Sequence, residues 1–248
     1  RNYNFEIVIL DQLEEMYLLP DCISTYRIGS GYGKIWQLYQ YLKLIAKNKP
    51  NFVVSFLPRA NLFNVISSGI YGHKSIISER SNTNGRVDGI CGFIKKYSMT
   101  VFLKRSDFVI AVSKGVRDCL IKDYKLKKEK IFILNNPYNF GKIKSLADEN
   151  ADKIHTKPYV IAMGRLVKSK GFHDLIVAFS RLETNCMLMI LGKGPELENL
   201  KGITKQCDIV DRVMFLGFKK NPYNFIKNAE IFVLSSYLEG FPNALVEA

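Results

Sequence analysis

Short apolar runs rich in β-branched and aromatic residues recur along the chain, and helix-period segments separate them. The runs are FEIVIL (5–10), FVVSF (52–56), KSIIS (74–78), FVIAVS (108–113), IFILN (131–135), YVIAM (159–163), CMLMIL (186–191), RVMFLG (212–217) and IFVLSS (231–236). Several are apolar on both faces, as strands buried between two helical layers must be. Between them Ile35, Leu38, Tyr39, Leu42 and Ile45 repeat at helical spacing, and so do Phe172, Leu175, Ile176, Phe179 and Leu182. Strand alternating with helix predicts an α/β fold with parallel sheets covered on both sides.

The rhythm breaks in PYNFGKIKSLADENADKIHTKP (137–158), a polar stretch bounded by prolines. It reads as an interdomain connection. The chain of 248 residues then holds an N-terminal α/β domain over 1–140, a linker over 141–156 and a C-terminal α/β domain over 157–248.

Charge bounds the partners. Lys and Arg number 36 against 23 Asp and Glu, a net charge of +13, which favours nucleotides, phospholipid head groups or nucleic acid. The basic, aromatic-bearing run GFIKKYSMTVFLKRS (92–106) and KDYKLKKEK (122–130) suit peripheral contact with an anionic membrane, or simply an amphipathic helix covering the sheet. No nucleic-acid-binding module or patterned set of stacking aromatics is present, so nucleic acid is not expected as a partner. The five cysteines form no C-x-x-C pair, which argues against a disulfide framework or a zinc site and for a reducing, cytoplasmic setting. No apolar run has the length of a membrane-spanning helix, and RNYNFEIVIL does not read as a signal peptide.

Ligands of open parallel sheets bind beyond the carboxyl ends of the strands. Those positions carry ERSN, KGVRD, NPYN, GRLVKSKG, GKGPE and YLEGFPN. In MGRLVKSKGF (163–172), Arg165 and Lys170 place two cations at a strand-to-helix turn. A guanidinium grips phosphate oxygens in bidentate fashion and an ammonium adds a point charge, so the pair suits a diphosphate; a solvated basic loop is the bland alternative. In FVLSSYLEGFPNALVEA (232–248), Pro242 is placed to open a helix, with the N–H groups of Gly240 to Asn243 available to an anion. Glu239 before that helix and Glu247 within it suit hydroxyls better than phosphate. Alternatively Glu239 complements the helix dipole and Glu247 is surface charge. Phosphates flanked by hydroxyls describe a nucleotide sugar.

GRLVKSKG, LGKGPELENL, VMFLGF and SSYLEGFPNALVEA together resemble the C-terminal domain of family 4 glycosyltransferases of GT-B fold, with Glu239 and Glu247 as the E-x7-E pair. VVSFLPRANLFNVIS, SIISERSN and VIAVSKGVRD are similar to members that transfer N-acetylhexosamines or related sugars to lipid-linked glycans or surface polysaccharides. The resemblance implies two Rossmann-like domains facing across a cleft. It also implies that both are incomplete here, lacking a first strand with its Gly-rich loop and the end of the C-terminal domain. It implies a retaining, metal-independent transferase with no cofactor, a UDP-linked donor and a glycan or lipid-linked acceptor, working in the cytoplasm or on the inner face of the plasma membrane. Arg165, Lys170, Gly240 and Phe241 would bind the donor diphosphate, Glu247 the ribose, and Glu239 the sugar. Relatives often carry a His where this chain has Glu79 and Arg80, which makes that pair the acceptor-side catalytic candidates. His73, His155 and His173 read as structural or solvated. Competing readings are an epimerase of the same fold and a non-enzymatic basic binding protein. A dinucleotide or P-loop site at GSGYGK (29–34) is disfavoured, because no apolar strand precedes it and Ile35 stands where a P-loop needs Ser or Thr.

Overall fold

The computed structural model describes residues 4–11, 22–29, 33–80, 90–149 and 157–248. They form two units, Arg1–Leu134 and Asn135–Ala248. The first contains β1 (Glu6–Ile9), β2 (Ser24–Arg27), α1 (Gly33–Asn48), β3 (Phe52–Phe56), α2 (Pro58–Tyr71), β4 (Lys74–Glu79), α3 (Ile90–Arg105), β5 (Phe108–Ala111), α4 (Lys114–Tyr124) and β6 (Ile131–Ile133). The second contains α5 (Phe140–Asp148), β7 (Tyr159–Met163), α6 (Phe172–Ser180), β8 (Met187–Leu191), α7 (Leu197–Gln206), β9 (Val213–Gly217), α8 (Tyr223–Lys227), β10 (Ile231–Phe232) and α9 (Asn243–Glu247). The sheet orders are β1-β2, β3-β4-β5-β6 and β10-β7-β8-β9, and all strand pairs are parallel.

The second unit shows why doubly apolar strands must be central. All five residues of β8 are buried. Leu188 and Ile190 pack with Phe172, Ile176, Phe179 and Leu200 on one face. Met187, Met189 and Leu191 pack with Tyr159, Ile161 and Ile226 on the other. Each such side chain removed from water contributes about 1.5–3 kcal/mol, so two covered faces fix this strand in the middle of the sheet.

The first unit relies more on buried polar pairing. On α2, Asn64 Nδ2 donates to Val53 O at 2.9 Å, Ser55 Oγ at 3.0 Å and Ile76 O at 3.2 Å, clamping the helix to β3 and β4. Ser113 caps α4 by accepting from Val116 N at 3.2 Å, and Pro58 opens α2 at a position where no N–H is needed.

One expectation needs correction, and the polar stretch has structure of its own. The apolar stripe of α1 is only in part its buried face: Ile45 is buried and Leu38 packs on the core, but Ile35 is 86% and Tyr39 60% exposed, while Gln37 and Tyr41 are buried in their place. Gln37 is satisfied inside, donating to Leu10 O at 2.7 Å and accepting from Arg59 at 3.2 Å. The segment read as a connection carries α5, which packs on α8. Asn221 Nδ2 donates to Leu146 O at 2.8 Å, Asn224 Nδ2 donates to Glu149 O at 3.0 Å, and Lys227 pairs with Asp148.

Candidate functional site

Three loops at the carboxyl ends of β7, β8 and β10 build a site in the second unit. Beyond β7 and β8 the ladder continues: Gly164 N donates to Leu191 O and Leu166 N to Lys193 O, both at 3.0 Å. The two loops touch backbone to backbone. A Cβ on Gly192 would stand 1.9 Å from Gly164 O, and one on Gly194 would stand 2.3 Å from Leu166 O. Arg165 lies between those ladder bonds, exposed and without an ion pair among the described residues.

The third loop is seated on the first. Tyr237 N donates to Ser169 O at 3.0 Å and Ser235 Oγ donates to Lys170 O at 2.8 Å. Gly171 closes the turn at φ 63°, and a Cβ there would come within 2.1 Å of Ser235 O. This seating delivers Glu239 to Lys170, whose ammonium meets its carboxylate at 2.5 Å with both side chains largely covered. A cavity of about 270 Å³ opens here, lined among others by Met163, Arg165, Lys170, Glu239, Phe241 and Glu247. Burial holds the Glu247 carboxyl above its ordinary range.

Thus Arg165, Lys170, Glu239, Phe241 and Glu247 converge, as their loops at the sheet edge suggest, while Gly240 is not part of the lining. The expected fan of free N–H groups is narrower: α9 begins at Asn243, whose N–H is donated to Phe241 O at 2.9 Å. The sequence reading gave no role to Asn136 and Tyr138. Asn136 Nδ2 donates at 2.5 Å and Tyr138 OH at 2.6 Å to Asn243 Oδ1, and the Tyr138 ring stacks 6.2 Å from that of Phe241. The only hint was NPYN after a strand. If Glu247 accepts ligand hydroxyls, Glu247→Ala will weaken uridine binding by roughly 1.5–3 kcal/mol in calorimetry, and unchanged affinity will refute that role.

Glu79 and Arg80 lie in the first unit at the end of β4. The Arg80 guanidinium sits 5.6 Å over the Phe56 ring. Glu79 is only 6% exposed and accepts from Asn61 Nδ2 at 3.2 Å. Burial pushes its carboxyl up from 4.5 to about 7. The folded state then holds a proton that the unfolded state releases between those values, so this group's contribution is present below pH 4.5 and is lost as pH rises through about 7. Glu79→Gln will therefore stabilise the protein at pH 8 by about 1–3 kcal/mol and change little at pH 4, as read by urea melts at both pH values. Of the histidines, His73 is buried with Nε2 2.8 Å from Ser67 Oγ, His173 is exposed beside Asp174, and His155 lies outside the described residues.

Among the described residues no group of three or more His, Cys, Asp or Glu side chains is arranged to hold a metal ion, and no helix is long and apolar enough to cross a membrane. Among the described residues Cys22, Cys119, Cys186 and Cys207 form no disulfide.

Residues 144–248 match the family described as "Glycosyl transferases group 1". The chain carries a group 1 glycosyltransferase domain and has the GT-B fold. A relative from Campylobacter jejuni, "N-acetylgalactosamine-N,N'-diacetylbacillosaminyl-diphospho-undecaprenol 4-alpha-N-acetylgalactosaminyltransferase", is 28% identical over 206 residues, covering 81% of this chain and 53% of the relative. An uncharacterized glycosyltransferase of Methanocaldococcus jannaschii is 30% identical over 226 residues, covering 85% of this chain and 56% of its own length. The chain thus spans about half the length of these curated relatives. The crystal structure of Anabaena HepE in complex with UDP superposes with a TM-score of 0.76 at 16% identity, covering 98% of this chain and 78% of that one.

Proposed function

We propose that this chain belongs to a retaining glycosyltransferase that moves a sugar from a UDP-linked donor to a glycan or lipid-linked glycan in polysaccharide or glycoconjugate synthesis. The observation that carries this reading is the convergence of Arg165, Lys170, Glu239 and Glu247 on one cavity. Arg165 and Lys170 hold the diphosphate. Lys170 turns from Glu239 toward phosphate oxygens, and the released Glu239 accepts hydroxyls of the sugar. Glu247 accepts from the ribose. In transfer, the bond between the anomeric carbon and the phosphate oxygen breaks as the acceptor oxygen bonds to that carbon on the same face. The acceptor's proton passes to the leaving UDP. The side-chain cations supply the charge neutralisation, so transfer should persist in EDTA. The UDP bound to the fold neighbour and the diphospho-undecaprenol in the Campylobacter relative's name support this donor and acceptor type.

Glu79 and Arg80 serve the acceptor side: substituting either should lower transfer and leave UDP affinity intact. Exposed Lys96, Lys104 and Arg105 on α3 favour anionic lipid by about 1 kcal/mol each, which co-sedimentation with phosphatidylserine vesicles reads directly. The deciding experiment incubates protein spanning the relatives' full length with radiolabelled UDP- and GDP-sugars and lipid-linked acceptors. Label passing from a UDP-sugar to lipid, in EDTA, is the expected result. Epimerised donor without transfer, or no reaction with any donor, would refute the proposal.

A further inference from the structure

The first unit holds a second, smaller cavity that the donor site does not use. It measures about 60 Å³, enough for a few water-sized groups, and is lined by Pro58, Asn61, Ile77, Glu79, Met99 and Phe102 among others. It lies between α2 and α3 at the end of β4, the strand edge where ligands of parallel sheets bind.

Its polar side chains are those of Asn61, Glu79 and Ser98. Asn61 is 5% exposed, and its Oδ1 has no hydrogen-bond partner among the described residues. A buried acceptor left unpaired costs about 1–3 kcal/mol, and an unpaired group on a cavity wall marks the place where a ligand supplies the missing donor. Glu79 has one oxygen occupied by Asn61 Nδ2 at 3.2 Å and a second free of that bond. Its carboxyl, raised to about 7, carries a proton in a large share of molecules at neutral pH and can then donate. Apart from Ser98, the remaining walls are Pro58, Ile77, Met99, Phe102 and Leu103, which offer only apolar contact.

One acceptor, one donor and an apolar end are the complement of an acylamino group. Its N–H meets Asn61 Oδ1, its carbonyl oxygen accepts from Glu79, and its methyl lies against Met99 and Phe102. A hydroxyl can both donate and accept, but it leaves the apolar end unfilled. We propose that this cavity is an acetamido pocket that selects an acceptor sugar bearing a 2-acetamido substituent. The inference rests on the glycosyltransferase reading above for the word acceptor, and on the geometry of the first unit alone for the acetamido group. A site built to pair with an N–H discriminates strongly against an analogue lacking it, because its own buried group is then left unpaired.

The six methionines give a direct test on the chain itself. With ¹³C-labelled methionine methyls, Met99 reports on this cavity and Met163 on the donor cavity. Titration with N-acetylglucosamine should move the Met99 signal, and glucose should require at least about tenfold higher concentration for the same shift. Asn61→Leu, checked for an unchanged melting profile, should abolish that preference. Equal responses to the two sugars, or no Met99 response to N-acetylglucosamine, overturn the pocket without reference to any variant. UDP in the same samples reads the donor site separately. A Met163 signal that ignores UDP counts against the transferase reading, whereas a Met163 response beside a silent Met99 leaves that reading standing and removes this one.

Discussion

Arg165→Ala and Lys170→Ala, in protein of the relatives' full length, will each slow sugar transfer about a hundredfold or more. Negative charge builds on the leaving diphosphate as the glycosidic bond breaks, and cations already in place stabilise that charge without reorganising. Arg165 has no competing ion pair among the described residues, so its removal subtracts directly from the transition state. Lys170 is held by Glu239 at 2.5 Å, and its removal also leaves a largely covered carboxylate facing the incoming phosphates. The double variant will therefore lose less than the product of the single losses, since both groups act on one diphosphate. Near-normal turnover in either single variant would end the diphosphate assignment.

Gly192→Ala will cost the second unit about 2–4 kcal/mol and remove UDP binding with it. At φ 139° the residue lies where side chains are rarely tolerated, and its new Cβ would be 1.9 Å from the Gly164 carbonyl. Neither partner is a flexible side-chain end, so the loop that carries Arg165 must shift. Gly202 is the internal control. It sits in α7 with nothing within 4 Å of an added Cβ, and Gly202→Ala should stabilise by about 0.5–1 kcal/mol. Thermal melts distinguish the two outcomes. Equal, small effects at both glycines would mean that the loops after β7 and β8 are not locked together.

The second unit was the more legible. YVIAM forms β7 over its full length, and the Phe172, Ile176 and Phe179 spacing marks the buried face of α6, because apolar burial on both sides of a parallel sheet leaves a direct trace in hydrophobicity. Where polar contacts decide, that trace fails. β2 is STYR, with no apolar run, and was not anticipated. α1 buries Gln37 in preference to Ile35 because the amide finds Leu10 O and Arg59 inside. α5 docks on α8 through Asn221, Asn224 and Lys227, contacts that no apolar period announces. The run IFVLSS suggests one strand through 236, but its last bond to β7 is Val233 N to Ile161 O at 2.8 Å, and Ser235 and Tyr237 bond to the Lys170 loop instead. In the site, residue types and strand-end positions pointed to Arg165, Lys170, Glu239 and Glu247. Their pairing was not readable: the Lys170–Glu239 ion pair joins residues 69 apart in the chain. The burial of Glu79 was equally hidden, because the sequence does not say that Asn61 lies beside it.

The central claim is that Arg165 and Lys170 make the second unit's cavity a diphosphate site, and paired calorimetric titrations of UDP and uridine into this chain test it most directly. The two ligands share ribose and base and differ only in the phosphates. UDP should bind more tightly than uridine by at least about tenfold, and the difference should vanish in the Arg165→Ala, Lys170→Ala double variant while uridine binding is kept. Equal affinity for UDP and uridine, or a double variant that still prefers UDP, would contradict the claim.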